Sequence, residues 1–531
     1  MTQIHLPTTQ PAARAGVGDI AARYDAAPYL NASYPKTQPA RLAAIATMLG
    51  LRPPPVPSAR VLELGCACGG NIIPLAARYP DMRCVGVDLS GVQIARGQVR
   101  LQQAGLTNVE LHQQDITEIG AEYGQFDYII CHGVYSWVPE HVREAVLRVI
   151  SALLAYDGVA VVSYNVLPGW HAKLAVRESL LAHTADLADP AEIVAEARRL
   201  MSLLKESGQQ TPYGLALRFE AELMEVAPDD YILHDLLEPD NEPCTVTEFV
   251  QAARRHGLGY LAESDIHTML NEFYGAAMAQ TLRELSGGLL LQTERYIDIV
   301  TGRTLRQSVL VKQDQVRTAN YSLGPECLAD LHLSGRYELD PERDADGAFV
   351  FRTPAGRTVT STSASVAAAL QTLSQRYPAT AGPAELMAAA AAGPEPAVTE
   401  DVLLDVLFRM LSNNMIDIFS EPIRVGTPDA ELPAAPALTR LDAQSGASLT
   451  TNLRHEPVGI EPIDRLLLAQ LDGSHDRAAL CEVVLSAVRS GSIAIQRGEQ
   501  AVVDEDERRR GAMATVAMIL RALASRALLE P

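Results

Sequence analysis

The segment from Arg60 to Asn71, with the sequence RVLELGCACGGN, constrains the fold more than any other part of the chain. It begins with an apolar run typical of a buried strand and continues into a turn with small residues at Gly65, Ala67 and Gly69. A helix-patterned stretch follows at once. Small residues in a turn let the backbone approach a ligand closely. The segment therefore predicts the first strand, turn and helix of an α/β domain that holds a ligand at the turn.

Glu63, near the end of this strand, discriminates between two kinds of nucleotide ligand. A dinucleotide-binding turn spaces its glycines as G-x-G-x-x-G and holds a pyrophosphate at the following helix N-terminus. This turn lacks that spacing, and a carboxylate two residues before Gly65 would repel a pyrophosphate. The same carboxylate suits the amine of a methionine moiety and a nearby sulfonium. The turn therefore predicts binding of S-adenosylmethionine (AdoMet).

Two further strand ends extend the predicted site. Cys84 to Ser90 is predicted to be a second buried strand, in which Asp88 is placed to hydrogen-bond ribose hydroxyls. Val109 to Ile116 is predicted to be a third strand, whose Asp115 could accept from the adenine amine, although Asp115 alone could equally be a turn residue. Ligands of open α/β sheets bind at the carboxyl ends of strands, so three strand-terminal acids in succession favour one nucleoside site.

Strands continue to alternate with helix-patterned segments, which is typical of a parallel sheet. Ser90 is placed to cap the helix after the second strand, and Pro39 opens an earlier helix. Phe126 to His132 is the predicted fourth strand, Glu140 to Tyr156 an amphipathic helix, and Val159 to Asn165 the fifth strand. The sequence thus predicts an α/β fold with a Rossmann-like sheet.

Both tryptophans of the chain lie in the loops after the fourth and fifth strands, although only 5% of the residues are aromatic. Methyl transfer from a sulfonium is an in-line displacement, which needs an aligned neutral nucleophile surrounded by π faces and oxygens. We therefore predict that these loops form an aromatic cage, although any one ring could equally cover the adenine or fill a domain seam. The predicted catalytic residues are Tyr135, Trp137, Tyr164, Asn165 and Trp170.

Two polar residues of these loops have more than one interpretation. His132 could be a base for a lysine ammonium, a contact to the methionine carboxylate or a packing residue, and we favour packing or cofactor contact. Asn165 could orient an amine or cap the following turn. The complete set of predicted cofactor-binding residues is Glu63, Gly65, Cys66, Ala67, Gly69, Asn71, Asp88, Leu89, Asp115, Ile116 and His132.

Charge and cysteine content limit the partners and the compartment. The formal net charge is -21, whereas a phosphate-tracking surface needs clustered Lys and Arg. We therefore exclude nucleic acid and expect a protein substrate, basic or unfolded, or a small molecule. Seven scattered cysteines without zinc-like spacing predict free thiols, no metal site and a reducing compartment. No segment offers the ~18 uninterrupted apolar residues that span a bilayer, so we expect a cytoplasmic protein without membrane insertion.

The length of 531 residues indicates several domains. Residues 20–170 are predicted to form the AdoMet-binding core, and residues 245–315 to complete its sheet with an antiparallel strand pair. Residues 171–244 between them are helix-patterned and strand-free. They are predicted to be a helical insertion above the active site, suited to regulation, to homodimer formation or to covering substrate.

The C-terminal part contains an internal repeat. Residues 316–424 are predicted to hold a hairpin, with strands at 349–352 and 357–360, and a winged-helix-like unit. The Pro- and Ala-rich residues 425–458 are predicted to be a linker, and residues 459–531 a second α+β winged-helix-like unit. The acidic balance and the lack of a basic recognition helix argue against DNA binding. We expect these units to shape a substrate groove instead.

Several motifs, spread over nearly the whole chain, resemble those of one family. They are Tyr34-Pro35, Thr37 to Ala43, Gly65 to Asn71, His132 to Pro139, Ser163 to Asn165, Pro168 to Trp170, Tyr231 to Leu237 and Arg303 to Leu310. The sequence resembles the bacterial class I methyltransferases that carry a methyltransferase regulatory domain. The best understood members are protein-lysine methyltransferases acting on outer-membrane proteins.

The resemblance implies AdoMet-dependent N-methylation of protein lysines, with Glu63, Gly65, Asp88 and Asp115 as cofactor contacts. Two other functions stay open. A small-metabolite or natural-product methyltransferase would be favoured by a substrate cavity sealed from the C-terminal units. A non-catalytic regulator would bind AdoMet without turnover.

Overall fold

The fold is seen in a computed structural model that describes residues 25, 32–206, 210–393, 398–494, 496–497, 500–501 and 504–531. The predicted beginning of the AdoMet-binding core at residue 20 lies outside the described residues. Among the helices of this described part, none is long and apolar enough to cross a membrane.

A seven-stranded sheet is built from strands that lie between Arg60 and Lys312. The strand order is β3-β2-β1-β4-β5-β7-β6. The first five of these strands run parallel, and β7 pairs antiparallel with both β5 and β6, as predicted. The strands are β1 (Arg60–Leu64), β2 (Arg83–Asp88), β3 (Val109–Gln113), β4 (Phe126–Cys131), β5 (Leu154–Asn165), β6 (Leu258–Glu263) and β7 (Leu305–Lys312).

Both faces of the sheet are covered, which explains the continuous apolar runs of its strands. In β1, Val61 packs into one buried cluster and Leu62 into another on the opposite face. Ser90 caps its helix as predicted, because its side chain accepts from the backbone N–H of Gln93 at 3.2 Å. The helices around the sheet are Pro39–Met48, Ile72–Arg78, Gly91–Ala104, Glu140–Leu153, Val246–Arg255, Ala276–Ser286, Leu290–Thr301 and Gln313–Val316.

The boundary between the helix from Glu140 and the fifth strand differs most from the prediction. The helix that begins at Glu140 ends at Leu153, three residues earlier than predicted, and β5 begins at once with Leu154. Leu154 pairs with Phe126 of β4 and is fully buried. The gain from sheet pairing and burial therefore takes the chain out of the helix before its amphipathic pattern stops.

The insertion between β5 and β6 is helical, with a hydrophobic core of its own. Its apolar cluster includes Val176, Leu180, Val194 and Ala197, all nearly inaccessible to solvent. The last part of the insertion is a single turn of π-helix, a form that is frequent at functional sites. The insertion helices are His171–Thr184, Pro190–Glu206, Pro212–Val226, Asp229–Tyr231 and the π-helix Ile232–Leu236.

The predicted hairpin and helical repeat follow the sheet domain. Phe349–Arg352 pairs antiparallel with Thr358–Ser361, and Glu338–Leu339 joins as a third strand. Two other short strands, His332–Ser334 and Asp417–Phe419, pair beside them. The C-terminal helices are Ala364–Arg376, Pro383–Ala391, Glu400–Ser412, Ala437–Gln444, Pro462–Leu468, Arg477–Arg489 and Glu505–Ser525.

Residues 425–458 are not the linker that the sequence predicts. They contain the helix Ala437–Gln444 and the strand Leu449–Thr451, which pairs with Pro457–Gly459. Leu438 is buried, and the backbone N–H of Ala435 donates to the carbonyl of Leu471 at 2.8 Å. The Pro- and Ala-rich composition suggested a loop, but the tract is folded. Its Ala435 and Ala443 belong to the core of the last helical unit, and Leu438 to the large cluster shared with the sheet domain.

Candidate functional site

A cavity of about 330 Å³ opens at the carboxyl ends of the parallel strands, where α/β folds bind their ligands. Its walls come from the strand ends and from two more distant segments. All predicted cofactor residues except Gly69 line it. The lining residues are Ala32, Tyr34, Glu63, Gly65, Cys66, Ala67, Gly70, Asn71, Asp88, Leu89, Ser90, Gln93, Asp115, Ile116, His132, Gly133, Val134, Trp137, Val138, Val142, Ser163, Tyr164, Asn165, His234, Asp235 and Leu305.

Glu63 lines this cavity, and its two carboxylate oxygens differ in their hydrogen bonding. Its Oε1 accepts from Asn71 Nδ2 at 2.8 Å, whereas its buried Oε2 has no hydrogen-bond partner among the described residues. Burial raises the pKa of Glu63 to about 8, against the lowering effect of the Asn71 bond. A buried, unpaired acceptor is costly, so Oε2 is suited to a cationic donor that a ligand brings.

The turn after β1 has the backbone conformation that the small residues predict. Gly65 and Gly69 have φ of +77° and +78°, and Ala67 has φ of +49°. A Cβ atom on Gly65 would lie 2.3 Å from Cγ2 of Val134, so glycine is required there. Gly69 shapes the turn but is not among the residues that line the cavity, although it was predicted to contact the cofactor.

Asp88 closes the turn from the end of β2. Its two oxygens accept from the backbone N–H groups of Ala67, at 2.8 Å, and Ser90, at 2.9 Å. Burial raises the pKa of this carboxyl, while these two hydrogen bonds counteract the shift. Each oxygen keeps a second lone pair, so the carboxylate can hold the turn and also accept from ribose hydroxyls.

Asp115 and two apolar residues form the next part of the wall. Asp115 Oδ1 accepts from both the N–H and the hydroxyl of Thr117 at 2.8 Å, so it caps the short helix Ile116–Glu118. Asp115 is therefore a turn residue, which was one of its two interpretations from the sequence, and it also lines the cavity. Leu89 and Ile116 line the same cavity and are suited to the faces of a planar base.

His132 faces the cavity as an uncharged ring. Burial lowers its pKa to about 4, and its centroid lies 4.1 Å from that of Tyr34. Its Nδ1 lies 3.4 Å from Nε2 of Gln307. These contacts favour packing and hydrogen bonding, because a group with this pKa is too weakly basic to deprotonate a lysine ammonium.

Trp137, Tyr164 and Asn165 line the part of the cavity formed by the two aromatic loops. The hydroxyl of Tyr164 lies 3.1 Å from Oγ of Ser308, and its ring stacks on Phe249 with centroids 4.0 Å apart. Asn165 is buried, and its Nδ2 has no hydrogen-bond partner in the described part of the chain. Three of the five predicted catalytic residues are thus brought together.

The other two predicted catalytic residues, Tyr135 and Trp170, are not in the cavity wall. The Tyr135 ring packs against Phe249 with centroids 5.2 Å apart, and Trp170 Nε1 donates to Asn241 Oδ1 at 2.8 Å. The Trp170 ring does pack edge-on against Trp137, with ring centroids 6.1 Å apart. The predicted four-ring cage is therefore wrong, because tertiary packing places Tyr135 and Tyr164 against Phe249 and bonds Trp170 to Asn241.

The insertion contributes wall residues that sequence reasoning missed. His234 and Asp235 come from its π-helix, and Leu305 begins β7. Arg177, buried on the first insertion helix, holds this π-helix by donating to the carbonyls of Asp235, at 2.8 Å, and Glu238. The motif Tyr231 to Leu237 is visible in the sequence. Local patterns do not show, however, that the chain folds this segment against the cavity.

The C-terminal winged-helix-like units do not shape this cavity. Among the described residues, none after Leu305 lines it. Their contacts with the sheet domain lie behind the cofactor turn, where Gln38 Nε2 donates to the carbonyl of Arg454 at 3.0 Å. The expectation that the repeat forms the substrate groove is not met at this cavity.

Three family models match successive parts of the chain. The model described as a methyltransferase domain matches residues 61–158, and the predicted methyltransferase regulatory domain matches residues 228–312. The model described as the PKMT C-terminal winged helix domain matches residues 431–528. This last match includes most of the tract that the sequence analysis assigned to a linker.

Similar proteins extend the likeness to almost the full length. An uncharacterized protein of Rickettsia prowazekii (strain Madrid E) is 31% identical over 532 residues, covering 97% of this chain and 95% of the relative. The structure of PKMT2 from Rickettsia typhi matches with a TM-score of 0.82 and 27% identity, over 94% of this chain and 100% of that chain. Its complex with AdoHcy gives a TM-score of 0.84, with the same identity and coverage.

Proposed function

This chain belongs to the PKMT family of class I methyltransferases, and on that premise we propose that it methylates lysine side chains of proteins. The methyl donor is AdoMet, as the methyltransferase domain and the AdoHcy complex of the PKMT2 relative support. The observation that carries the proposal is the division of one cavity into an acidic cofactor end and an aromatic, amide-lined acceptor end.

The cofactor end fits the amino-acid and ribose parts of AdoMet. Unpaired Oε2 of Glu63 is suited to the donor's ammonium, and Asp88 to its ribose. Because Gly65 has no Cβ, Val134 packs directly on the turn, and both residues line the cavity. The neutral ring of His132 adds a hydrogen-bonding group without adding a charge that would repel the sulfonium.

The acceptor end fits an amine. Asp235 and Asn165 provide oxygens that can orient the amine's hydrogens, and the Trp137 ring provides a π face for a cation. When bound, AdoMet supplies a methyl group on a sulfonium. The lone pair of the neutral lysine nitrogen forms the new N–CH3 bond, the sulfur keeps the electrons of the broken bond, and the nitrogen then loses a proton.

Transfer of radiolabelled methyl from AdoMet into host-cell extract tests this proposal. The extract is separated into protein and small-molecule fractions, and Asp88→Ala is the blank because it removes the acceptor of both turn N–H groups. Trp137→Leu serves as the acceptor-end variant and should bind AdoHcy normally. Base-stable label in protein supports the proposal, and bound AdoMet with no label in either fraction supports a non-catalytic regulator.

A small-molecule acceptor is the second candidate, and one observation favours it. Since no described residue beyond Leu305 lines the cavity, the C-terminal domains do not reach an acceptor held there. Label confined to the small-molecule fraction would establish this alternative. The net charge of -21 favours the protein reading, because it attracts a basic, lysine-rich partner.

The seven cysteines are all free thiols in the structure, which supports placing the reaction in a reducing compartment such as the cytoplasm.

Homodimer formation through the insertion stays a prediction. Sedimentation of the purified chain at several concentrations measures it directly.

A further inference from the structure

A loop of the C-terminal domain reaches the back of the cofactor turn. His455, 3% exposed, places its Nε2 2.8 Å from Oδ1 of Asn71. The two residues are 384 positions apart in sequence. Asn71 in turn binds Glu63, the carboxylate that faces the cavity. A continuous hydrogen-bonded chain thus runs from a residue outside the cavity to the cofactor end of the site.

The donors around Asn71 fix the orientation of its amide. The backbone N–H of Tyr34 can only donate, and it lies 2.8 Å from Oδ1. This atom is therefore the oxygen, and the Nε2 of His455 that faces it must carry the proton. Burial lowers the pKa of His455 to about 3, so the ring is neutral with a single N–H. The Asn71 Nδ2 is then left to donate to Glu63, at 2.8 Å, and to Thr37 Oγ1, at 3.1 Å.

The loop that carries His455 is held in one conformation. His455 has φ of +63°, a conformation that non-glycine residues rarely adopt. Asn452 supports it, because its Oδ1 accepts from the N–H groups of Arg454, at 2.8 Å, and Glu456, at 2.9 Å. The carbonyls of Leu453 and Arg454 accept from Arg78 and Gln38 of the sheet domain.

We propose that His455 is a positioning residue for the AdoMet site, through which the C-terminal domain fixes the Asn71 amide and hence the Glu63 carboxylate. The proton of Nε2, together with the Tyr34 N–H, keeps the Asn71 oxygen turned away from Glu63. When the cofactor's ammonium is bound and Glu63 is ionised, an amide that rotated freely would present its oxygen to the carboxylate for part of the time, and the two oxygens would repel. His455 thereby keeps Oε2 of Glu63 directed at the cofactor.

The inference depends on AdoMet binding in this cavity and not on lysine as the acceptor. Its readout is therefore the dissociation constant of AdoHcy, measured by calorimetry on the full chain. His455→Leu keeps an apolar side chain of similar size without a donor, and His455→Gln retains an N–H at the end of the side chain. His475→Leu is the matched control, because this partly exposed histidine bonds to Ser474 and Asp472 in its own turn and lies outside the cavity.

We expect His455→Leu to weaken AdoHcy binding about tenfold, the effect of one buried hydrogen bond, and His455→Gln to restore it to within about twofold. In an Asn71→Ala background, His455→Leu should cost less than about twofold more, because the group it positions is gone. His475→Leu should bind as the unmodified chain does.

Two results would overturn the inference. The first is unchanged AdoHcy affinity in His455→Leu. The second is equal weakening in His455→Leu and His455→Gln that adds fully to the effect of Asn71→Ala, since that pattern indicates a loop disturbed in general. Neither result depends on whether label enters protein, so the proposed acceptor is tested separately.

Discussion

Glu63 has the most unusual electrostatic environment in the cavity. Its carboxyl is buried, has a pKa of about 8 and holds one oxygen without a partner among the described residues. At pH 7 it is therefore mostly protonated before the cofactor binds. A cationic ammonium beside it favours the charged form and lowers its pKa. Cofactor binding and loss of this proton are consequently linked.

We predict that AdoMet binding at pH 7 releases about one proton, and that the release disappears as the pH rises past about 8. Glu63→Gln, which has no proton to lose, should release none. Calorimetry in two buffers of different ionisation enthalpy measures the proton count. Glu110→Gln is the control, because its exposed carboxylate lies away from the cavity. Equal release by the unmodified chain and Glu63→Gln would contradict the assignment.

Ala67 holds a turn conformation that suits glycine better. Its φ is +49°, and its N–H must remain directed at Asp88. Ala67→Gly should raise the free energy of unfolding by about 1 kcal/mol, because the left-handed conformation costs alanine about that much. Ala76→Gly, in the middle of the helix Ile72–Arg78, should lower it by a similar amount. Chemical denaturation measures both, and a loss of stability in Ala67→Gly would contradict the strain.

At the scale of elements, the π-helix Ile232–Leu236 links the insertion to the acceptor end of the cavity. Arg177 fixes it through two carbonyls, and the same guanidinium lies 5.5 Å from the centroid of Trp137. Burial lowers the pKa of Arg177 to about 10, so it stays charged at neutral pH. One side chain thus positions both a ring and a helix turn of the wall.

Arg177→Ala should therefore lower methyl transfer about tenfold while leaving AdoHcy affinity within about twofold, because only the acceptor end is disturbed. The matched control is Arg198→Ala, which removes contacts to the carbonyls of Met224 and Ala227 elsewhere in the insertion. Initial rates of label transfer and calorimetry give the two quantities. Equal losses in both variants would show that the insertion acts only as a folded unit.

The elements show which parts of the site a sequence can predict. The strands, the turn after β1 and the acids at the strand ends follow from local periodicity and from the rule that strand ends carry ligands. Glu63, Asp88 and Asp115 accordingly line one cavity, and their cofactor contacts stay a prediction. The directions of Tyr135 and Trp170 depend on Phe249 and Asn241, which are distant in sequence. Long-range packing also brings the π-helix to the cavity, and no local pattern encodes it.

At the scale of the whole molecule, the two ends of the cavity are supported by different domains. The insertion borders the acceptor end, and the C-terminal loop 452–456 backs the cofactor end. Arg454 of this loop is buried and binds Asp417, Glu456 and Ser334 at 3.1, 2.9 and 2.7 Å. It therefore joins the middle and C-terminal domains beside the residue that contacts Asn71.

Arg454→Met should lower the free energy of unfolding by about 2 kcal/mol, because it removes the ion pairs of a buried guanidinium with Asp417 and Glu456, while Asp417 keeps its pair with Arg41. The matched control is Arg477→Met, whose ion pair with Asp429 is exposed and should contribute less than about 1 kcal/mol. Chemical denaturation of the full chain compares the two. Similar small effects in both variants would show that the junction does not tie the domains together.

The proposed acceptor atom is a lysine nitrogen in protein. Host-cell proteins are incubated with the full chain and AdoMet carrying a deuterated methyl group, then digested and sequenced by tandem mass spectrometry, with Asp88→Ala as the blank. On this proposal, deuterated methyl appears on lysine Nε with the unmodified chain and not with the blank. Deuterated methyl only on other protein atoms or only on small molecules would contradict it.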